Sequence, residues 1–472
     1  MISRSLIALS LSIISAAFVS ARQSASPVPE TKIDAVFSRW TNETPGCAVG
    51  VSKDGKPIVE KAYGMADLEH DVPNRPDTIF EAGSVSKQFT AAAVLLLAQD
   101  GKLSLDDQVR KHVPELPDYG APLTIRQMLQ HTSGLRDWGE LAAIAGWPRT
   151  SRVHNHSHVI DILSRQKALN FPSGTQYSYS NSGYNLAAVI VSRVSGKSFA
   201  DFSRERIFVP MGMTKTSWRD DHTRVVKGRA IAYAASGGTY RIEMPFEDVH
   251  GNGGLLTTVG DLLKWNENFV TPKVGGGEFL KVQQEPGRFN DGKPHTYAMG
   301  LVVNQHRGVA QVAHSGSTAG YRAHLTRFPT ERLSVAVLCN ASSGTATQYA
   351  MSIAEMYLEG KLQPATAKPP TTRQNTVPEP SRPASTASAP TGHYYSDEAE
   401  VTYEVVSVAD GLAVRRRPAM ETRLRKIADD EYALGGNTVK FIRDASGAVT
   451  EMSLKGSRVF DLRFKKSDGK QP

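Results

Sequence analysis

Apolar strand patterns stand at both ends of a long stretch of this chain, with helical spacing between them. Ala48-Val49-Gly50-Val51-Ser52, an Asp54-Gly55 turn and Pro57-Ile58-Val59 predict a β-hairpin. Gln311–Ala313, Ala323–Phe328 and Leu333–Leu338 predict three successive strands, and Ser352–Leu358 a closing helix. In between, Gln88–Gln99, Ile125–Gln130, Tyr184–Val194 and Asp261–Asn268 carry apolar residues at helical spacing. This order predicts an α+β fold: one antiparallel sheet built from both ends of the stretch, flanked by helices and carrying an inserted helical lobe. The chain has 472 residues, 40% of them hydrophobic and 22% charged, so it can bury such a core. Disordered and collagen-like classes are excluded.

At about 150 residues per domain the length suggests roughly three units, or one large unit with an appendage. The composition favours the second. Residues 361–390 are dominated by Pro, Thr, Ser and Ala and read as a linker. In residues 391–472, Val401, Tyr403 and Val405 alternate with Thr402 and Glu404, and short apolar runs recur at Leu412–Val414, Val439–Ile442 and Val459–Phe464. That pattern predicts a small all-β barrel. At the other end, Arg4 precedes an apolar stretch from Leu6 to Val19 and the small residues Val19-Ser20-Ala21. Residues 1–21 read as an export signal cleaved after Ala21, which puts the mature protein in a periplasmic or secreted location. An apolar stretch shorter than about 20 residues does not span a bilayer, so no membrane span is expected after cleavage. The main unit is then 30–360. With only Cys47 and Cys339, the chain is not a disulfide scaffold. Whether the two pair, as an oxidising compartment allows, the sequence leaves open.

The net charge of +8 invites a nucleic-acid reading until it is located. Most of the excess lies in the first 22 residues and in 361–390, and Arg415-Arg416-Arg417 is the only run of three basic residues. A phosphate-binding face needs clustered charge, so nucleic acid is not an expected partner.

Phe80-Glu81-Ala82-Gly83-Ser84-Val85-Ser86-Lys87 runs straight into the Gln88–Gln99 helix. If that helix begins near Ser84, Ser84 and Lys87 share a face at its positive end, and an amine stands beside a hydroxyl. Alone, the S-x-x-K pattern says little: Ser164-Arg165-Gln166-Lys167 repeats it inside an amphipathic helix, where an N-cap and a surface lysine explain it equally well. Further along stand Tyr179-Ser180-Asn181 and His314-Ser315-Gly316. Singly, the first reads as a turn before a helix and the second as a strand histidine, and His306-Arg307-Gly308 matches H-x-G too. His154, His156 and His158 could imitate a metal cluster, but Asn155 and Ser157 make a polar loop the simpler reading. No G-x-S-x-G elbow and no H-E-x-x-H pair is present.

Taken in order, S-x-x-K, Y-x-N and H-x-G resemble the serine β-lactamase and penicillin-binding-protein superfamily, in particular its class C-like branch with D-aminopeptidase, esterase and peptidase relatives. Leu129-Gln130-His131-Thr132-Ser133-Gly134-Leu135, Pro210-Met211-Gly212-Met213 and Gly251-Asn252-Gly253-Gly254-Leu255 also resemble segments of that family, and the C-terminal barrel has lipocalin-like counterparts in some members. The resemblance implies that Ser84 is the nucleophile of an acyl-enzyme, that Lys87 and Tyr179 share the proton traffic, and that Asn181 orients Lys87 and a substrate amide. A phenol beside a lysine can be partly deprotonated, and which of the two is the base stays open. It further implies an oxyanion hole from the backbone N–H groups of Ser84 and Ser317, and a substrate cleft lined by Gly316, Gly320 and Asn252. His314 departs from the family pattern, which usually has Lys there. A neutral imidazole is a poor partner for a substrate carboxylate.

The expected function is therefore an exported serine hydrolase acting on amide or ester bonds, with short D-residue peptides or small carboxylic esters as substrates. A β-lactamase or D,D-carboxypeptidase is the alternative within the family, and a silent ligand-binding protein the alternative outside it. Acyl transfer by such a set needs no metal or organic cofactor, and none is expected. The barrel reads as a cap or a homo-oligomer contact, or as a module that shapes access to the cleft.

Overall fold

The computed structural model describes residues 28–364 and 389–467; the stretch read as an export signal and most of the 361–390 linker lie outside them. Its central sheet has strands β1 (Cys47–Lys53), β2 (Lys56–Tyr63), β3 (Val302–His306), β4 (Val309–Thr318), β5 (Tyr321–Phe328) and β6 (Leu333–Cys339). They lie in the order β3-β4-β5-β6-β1-β2, antiparallel throughout, so the sheet joins the two ends of the stretch as the patterning predicts. Cys47 lies opposite Cys339 across the β1–β6 seam, and the two are joined by a disulfide.

The strands read as nearly unbroken apolar runs because both faces of the sheet are covered. Val49, Val51, Val335 and Val337 pack with Ile33 of helix α1 (Glu30–Val36) and with Ile353 of the closing helix. Ala48, Ala336 and Leu338 face the other way, into the core shared with the helical lobe. The helices of that lobe include α2 (Lys87–Gln99), α3 (Ile125–Leu129), α4 (Trp138–Ile144), α5 (His156–Ser164), α6 (Ser182–Ser195) and α7 (Val259–Asn268); the closing helix is α8 (Ala346–Tyr357). Helix α2 is buried on every side over Lys87–Leu97, which explains its Ala/Leu-rich, weakly amphipathic sequence.

The strand at Gln311–Ala313 proves longer than its apolar run. It extends to Thr318 because backbone pairing with β5 carries on through the polar His314–Thr318 segment. Of the three histidines read as lying in a loop, His154 does, but His156 and His158 belong to α5, which begins at His156 with Asn155 as N-cap and His158 completing a capping box. His156 Nε2 meets the carbonyl of His250 at 3.0 Å.

The C-terminal strands β7 (Gly392–Ser396), β8 (Val401–Val408), β9 (Gly411–Arg416), β10 (Met420–Ala428), β11 (Glu431–Leu434), β12 (Asn437–Arg443), β13 (Val449–Lys455) and β14 (Leu462–Ser467) form a closed barrel. Tyr403, Val405, Phe441, Met452 and Phe464 fill it. It docks on the helical lobe through buried polar contacts. Arg136 donates to Glu398 at 2.7 Å and to the carbonyl of Phe460 at 3.1 Å, and the Tyr403 hydroxyl donates to the carbonyl of Ile144 at 3.0 Å.

Candidate active site

Ser84 sits in a single 3₁₀ turn, Gly83–Ser86, between the short strand Phe80–Glu81 and helix α2. The sequence places it at the α-helix start; the structure places that start at Lys87. The tighter turn matters because side chains three apart eclipse in a 3₁₀ helix, which stacks Lys87 directly on Ser84. The strand before the turn is anchored from below, where Arg219 donates to both oxygens of Glu81 at 2.9 and 3.2 Å, both side chains being buried.

Lys87 is completely buried, and its Nζ has three neighbours: Ser84 Oγ at 3.1 Å, Asn181 Oδ1 at 2.9 Å and the carbonyl of Asn252 at 2.7 Å. Burial holds its pKa well below the ordinary lysine value. The carboxylate of Asp137 opposes that shift, while the cations of Arg149 and Arg458 reinforce it. A neutral amine has two N–H donors and one lone pair. Asn181 Oδ1 and the Asn252 carbonyl can only accept, so an amine that has lost its proton and gives them its two N–H groups turns its lone pair to the Ser84 hydroxyl, whereas the ammonium donates to all three oxygens.

Tyr179 lies alongside, its ring 4.2 Å from that of His131 and with Lys87 Nζ 4.9 Å from its centroid. The phenol is not partly ionised. Desolvation pushes its pKa above the usual value, and a hydrogen bond with Ser84 and the charge of Arg458 offset only part of that. The reason is local: His131 and Tyr297, both buried and both in ring contact with Tyr179, exclude the water that a phenolate would need.

His314 on β4 is buried and held down to about 3, chiefly by burial. It is therefore neutral, and its partners define the tautomer. Nδ1 lies 2.6 Å from the Ser315 carbonyl, which can only accept, so Nδ1 carries the proton and Nε2 accepts from Tyr297 Oη at 2.9 Å. Beyond Ala313 the strand has no strand partner on its β3 side among the described residues, and this free edge borders Ser84. The approach is close: a Cβ on Gly316 would stand 2.0 Å from the Ala82 carbonyl, and one on Gly83 (φ +50°) 2.6 Å from the Ser317 amide nitrogen. The two glycines let the Ser84 turn and the Ser317 strand edge meet.

A cavity of about 860 Å³ opens on this junction, lined among others by Ser84, Tyr179, Asn181, Asn252, His314, Gly316 and Ser317. Gly320 is not in its lining. That residue lies in the β4–β5 turn, where a Cβ would strike the Tyr233 backbone at 2.6 Å, so the close approach it permits is to the protein's own chain. Asn252 lines the cavity, and its contacts hold the protein side: its carbonyl takes Lys87 and its Oδ1 accepts from Asn185 at 2.7 Å. The other lookalikes stay apart. His306 pairs with Glu355 at 2.8 Å, and Lys167 pairs with Asp397.

Sequence reasoning missed the cationic lining. Arg149, Arg322 and Arg458 all face the cavity, and among the described residues no Asp or Glu does. Arg149 is held by the buried carboxylate of Glu247, and Arg322 donates to the carbonyls of Ala319 and Tyr321. Arg458 comes from the barrel. No local pattern marks it, since Gly456-Ser457-Arg458 reads as an ordinary hairpin turn. His131 was visible only as part of a family-like segment.

The sequence profile described as "Beta-lactamase" matches residues 33–356. A D-aminopeptidase from Gluconobacter oxydans is 28% identical over 433 residues, spanning 90% of this chain and 77% of that protein. Penicillin-binding protein 4* of Bacillus subtilis is 27% identical over 430 residues, spanning 85% and 93%. Among solved structures, the octameric penicillin-binding protein homologue from Pyrococcus abyssi superposes with a TM-score of 0.62 over 93% of this chain and 99% of that one, at 23% identity.

Proposed function

The chain belongs to the beta-lactamase family, and from that premise we propose that it is a serine hydrolase cleaving amides of D-residues through an acyl-enzyme on Ser84. Ser84 Oγ attacks the carbonyl carbon as its proton passes to the neutral Lys87 amine. The tetrahedral oxyanion accepts from the Ser84 and Ser317 amides at the free edge of β4. The C–N bond breaks as the Tyr179 phenol gives its proton to the leaving nitrogen, and the Lys87 ammonium restores it. Water then attacks the ester, a proton returns through the same pair, and Ser84 leaves with its hydroxyl restored. The observation that carries this reading is the position of Ser84 Oγ, 3.1 Å from a buried Lys87 Nζ whose two other partners are acceptors only. The relatives support D-residue amides.

The same proposal divides the chain into an export signal (1–21), a catalytic unit (30–360), a linker (361–390) and a barrel (391–472). Export is supported by the Cys47–Cys339 disulfide, a bond that persists in oxidising compartments. Among the described residues no helix is long and apolar enough to cross a membrane.

The test sets D-alanine p-nitroanilide, its L-enantiomer, a p-nitrophenyl ester and nitrocefin side by side. The D-anilide is expected to turn over at least about tenfold faster than the L-form, and a fluorophosphonate to label the wild type and not Ser84→Ala. Strong turnover of nitrocefin alone would overturn the reading in favour of a β-lactamase. Absence of labelling would overturn it in favour of a silent binder.

A further inference from the structure

A phenol that delivers a proton to one particular nitrogen has to be aimed, yet Tyr177–Ser180 lies in neither a helix nor a strand, so no regular backbone ladder aims Tyr179. His131 holds the segment instead. Its carbonyl accepts from the Ser178 N–H at 2.9 Å, and its ring Nδ1 accepts from the Ser180 N–H at 3.2 Å. One residue thus takes the amide before the tyrosine and the amide after it. The imidazole also lies against the phenol ring, 4.2 Å between centroids, within a wall completed by Tyr177, Tyr184 and Tyr297 at 5.9, 5.3 and 4.5 Å.

The ring contact demands a neutral imidazole. A backbone N–H can only donate, so Nδ1 is a bare acceptor and the ring proton sits on Nε2. Burial agrees, holding the His131 pKa well below the ordinary histidine value. That tautomer has a cost, since Nε2 is buried and has no hydrogen-bond partner among the described residues. An imidazole with one N–H orphaned in the interior is a poor space-filler, and what Nδ1 does explains the position better. The mount is rigid. At the end of α3 the Leu129 carbonyl accepts from Tyr184 Oη of α6 at 2.6 Å, the Thr132 N–H donates to the Gln127 carbonyl at 2.9 Å, and the Thr132 carbonyl accepts from the Gly174 N–H at 2.8 Å. His131 itself is held at φ +59°, in the left-handed region that Asn, Asp and His enter more readily than other side chains.

We propose that His131 is a positioning residue for Tyr179, its carbonyl and its Nδ1 fixing the backbone on both sides of the tyrosine so that the phenol faces the leaving nitrogen. This assignment rests on the reading above, in which Tyr179 protonates that nitrogen. The role is specific to the leaving group. An amide nitrogen does not depart without a proton, whereas p-nitrophenolate departs as a stable anion, so a misaimed phenol slows amide cleavage more than cleavage of an activated ester. A displacement of about 1 Å in such a group costs on the order of 100-fold.

The experiment measures kcat/KM for D-alanine p-nitroanilide and for the p-nitrophenyl ester of the same residue, in the full chain, and takes the anilide-to-ester ratio in wild type, His131→Gly and His131→Asn. The acyl group is identical in the two substrates, so the ratio reads the leaving group alone. Both substitutions suit the left-handed backbone, and only Asn carries an acceptor, Oδ1, at the same remove from Cβ as Nδ1. His131→Gly is expected to lower the ratio about tenfold or more, through kcat rather than KM, and His131→Asn to keep it within about threefold of wild type. A ratio unmoved in His131→Gly, a parallel fall of both substrates, or loss of Ser84 labelling by a fluorophosphonate marks a merely structural role; each overturns the assignment and leaves the amidase reading intact. A ratio lowered as far in His131→Asn as in His131→Gly gives the effect to the bulk of the ring and overturns the assignment too. A wild type that cleaves the ester and not the anilide overturns the amidase reading and this assignment with it.

Discussion

In the proposed mechanism Lys87 and Tyr179 divide the proton chemistry because one enclosure acts on them with opposite sign. Desolvation disfavours whichever form is charged, so it lowers the amine and raises the phenol. A base that must be neutral gains activity as pH rises through its own pKa. The acid limb of kcat/KM is therefore expected to report Lys87, and to fall below the ordinary lysine range. His314, held near 3, adds no limb around neutrality. The sign of one perturbation can be worked out. Arg458 depresses Lys87, so Arg458→Gln relieves that cation and moves the acid limb to higher pH, measurable in a pH profile with a neutral ester substrate. At this scale the sequence was informative where chemistry is written locally. Ser84, Lys87, Tyr179 and Asn181 stand in short patterns, and the structure brings them together. The protonation states were not legible, because they follow from His131 and Tyr297 closing over Tyr179. Gly320 misled because a glycine needed against the protein's own backbone looks like one needed against a substrate.

The 3₁₀ turn that carries Ser84 is held by what lies beneath it. Glu81 ends the preceding strand, receives two hydrogen bonds from Arg219 and one from the Gly254 amide at 3.2 Å, and is wholly enclosed. Removing Glu81 leaves buried Arg219 with only the Glu247 carboxylate, 3.7 Å away and already held by Arg149. Glu81→Ala is expected to cost about 3–5 kcal/mol of stability, read by urea denaturation, and to lower kcat as the turn shifts. Element types were readable from periodicity wherever one residue in two or one in three or four is apolar. Boundaries failed where polar residues do structural work. Strand β4 runs on through His314–Thr318 because β5 pairs with it, and α5 starts among histidines because Asn155 caps it.

Across the whole molecule, the barrel and the catalytic unit share one apolar core, and the buried pair Arg136–Glu398 pins the seam. Glu398 also accepts from the Lys167 amide at 2.7 Å. Glu398→Ala strands Arg136 without a counter-charge, and a destabilisation of about 3–5 kcal/mol is expected, seen as a lower Tm by circular dichroism. The barrel's existence was legible from its alternating strands, while its reach into the cleft was not, because that depends on how two folded bodies dock. The sheet at the centre has a different consequence, in time. Every residue of β1 pairs with β6, and the partners Cys47 and Cys339 are 292 residues apart. Ribosomes add about 5–20 residues per second, so an emerging β1 waits on the order of 15–60 s for the strand that completes it. During that interval the first hairpin offers an unpaired, apolar edge, and the helical lobe is made before the sheet it rests on. The nascent chain is thus most exposed to aggregation, and most in need of a chaperone, just before Leu333–Cys339 emerges, when the first 332 of its 472 residues are made and its sheet is still open.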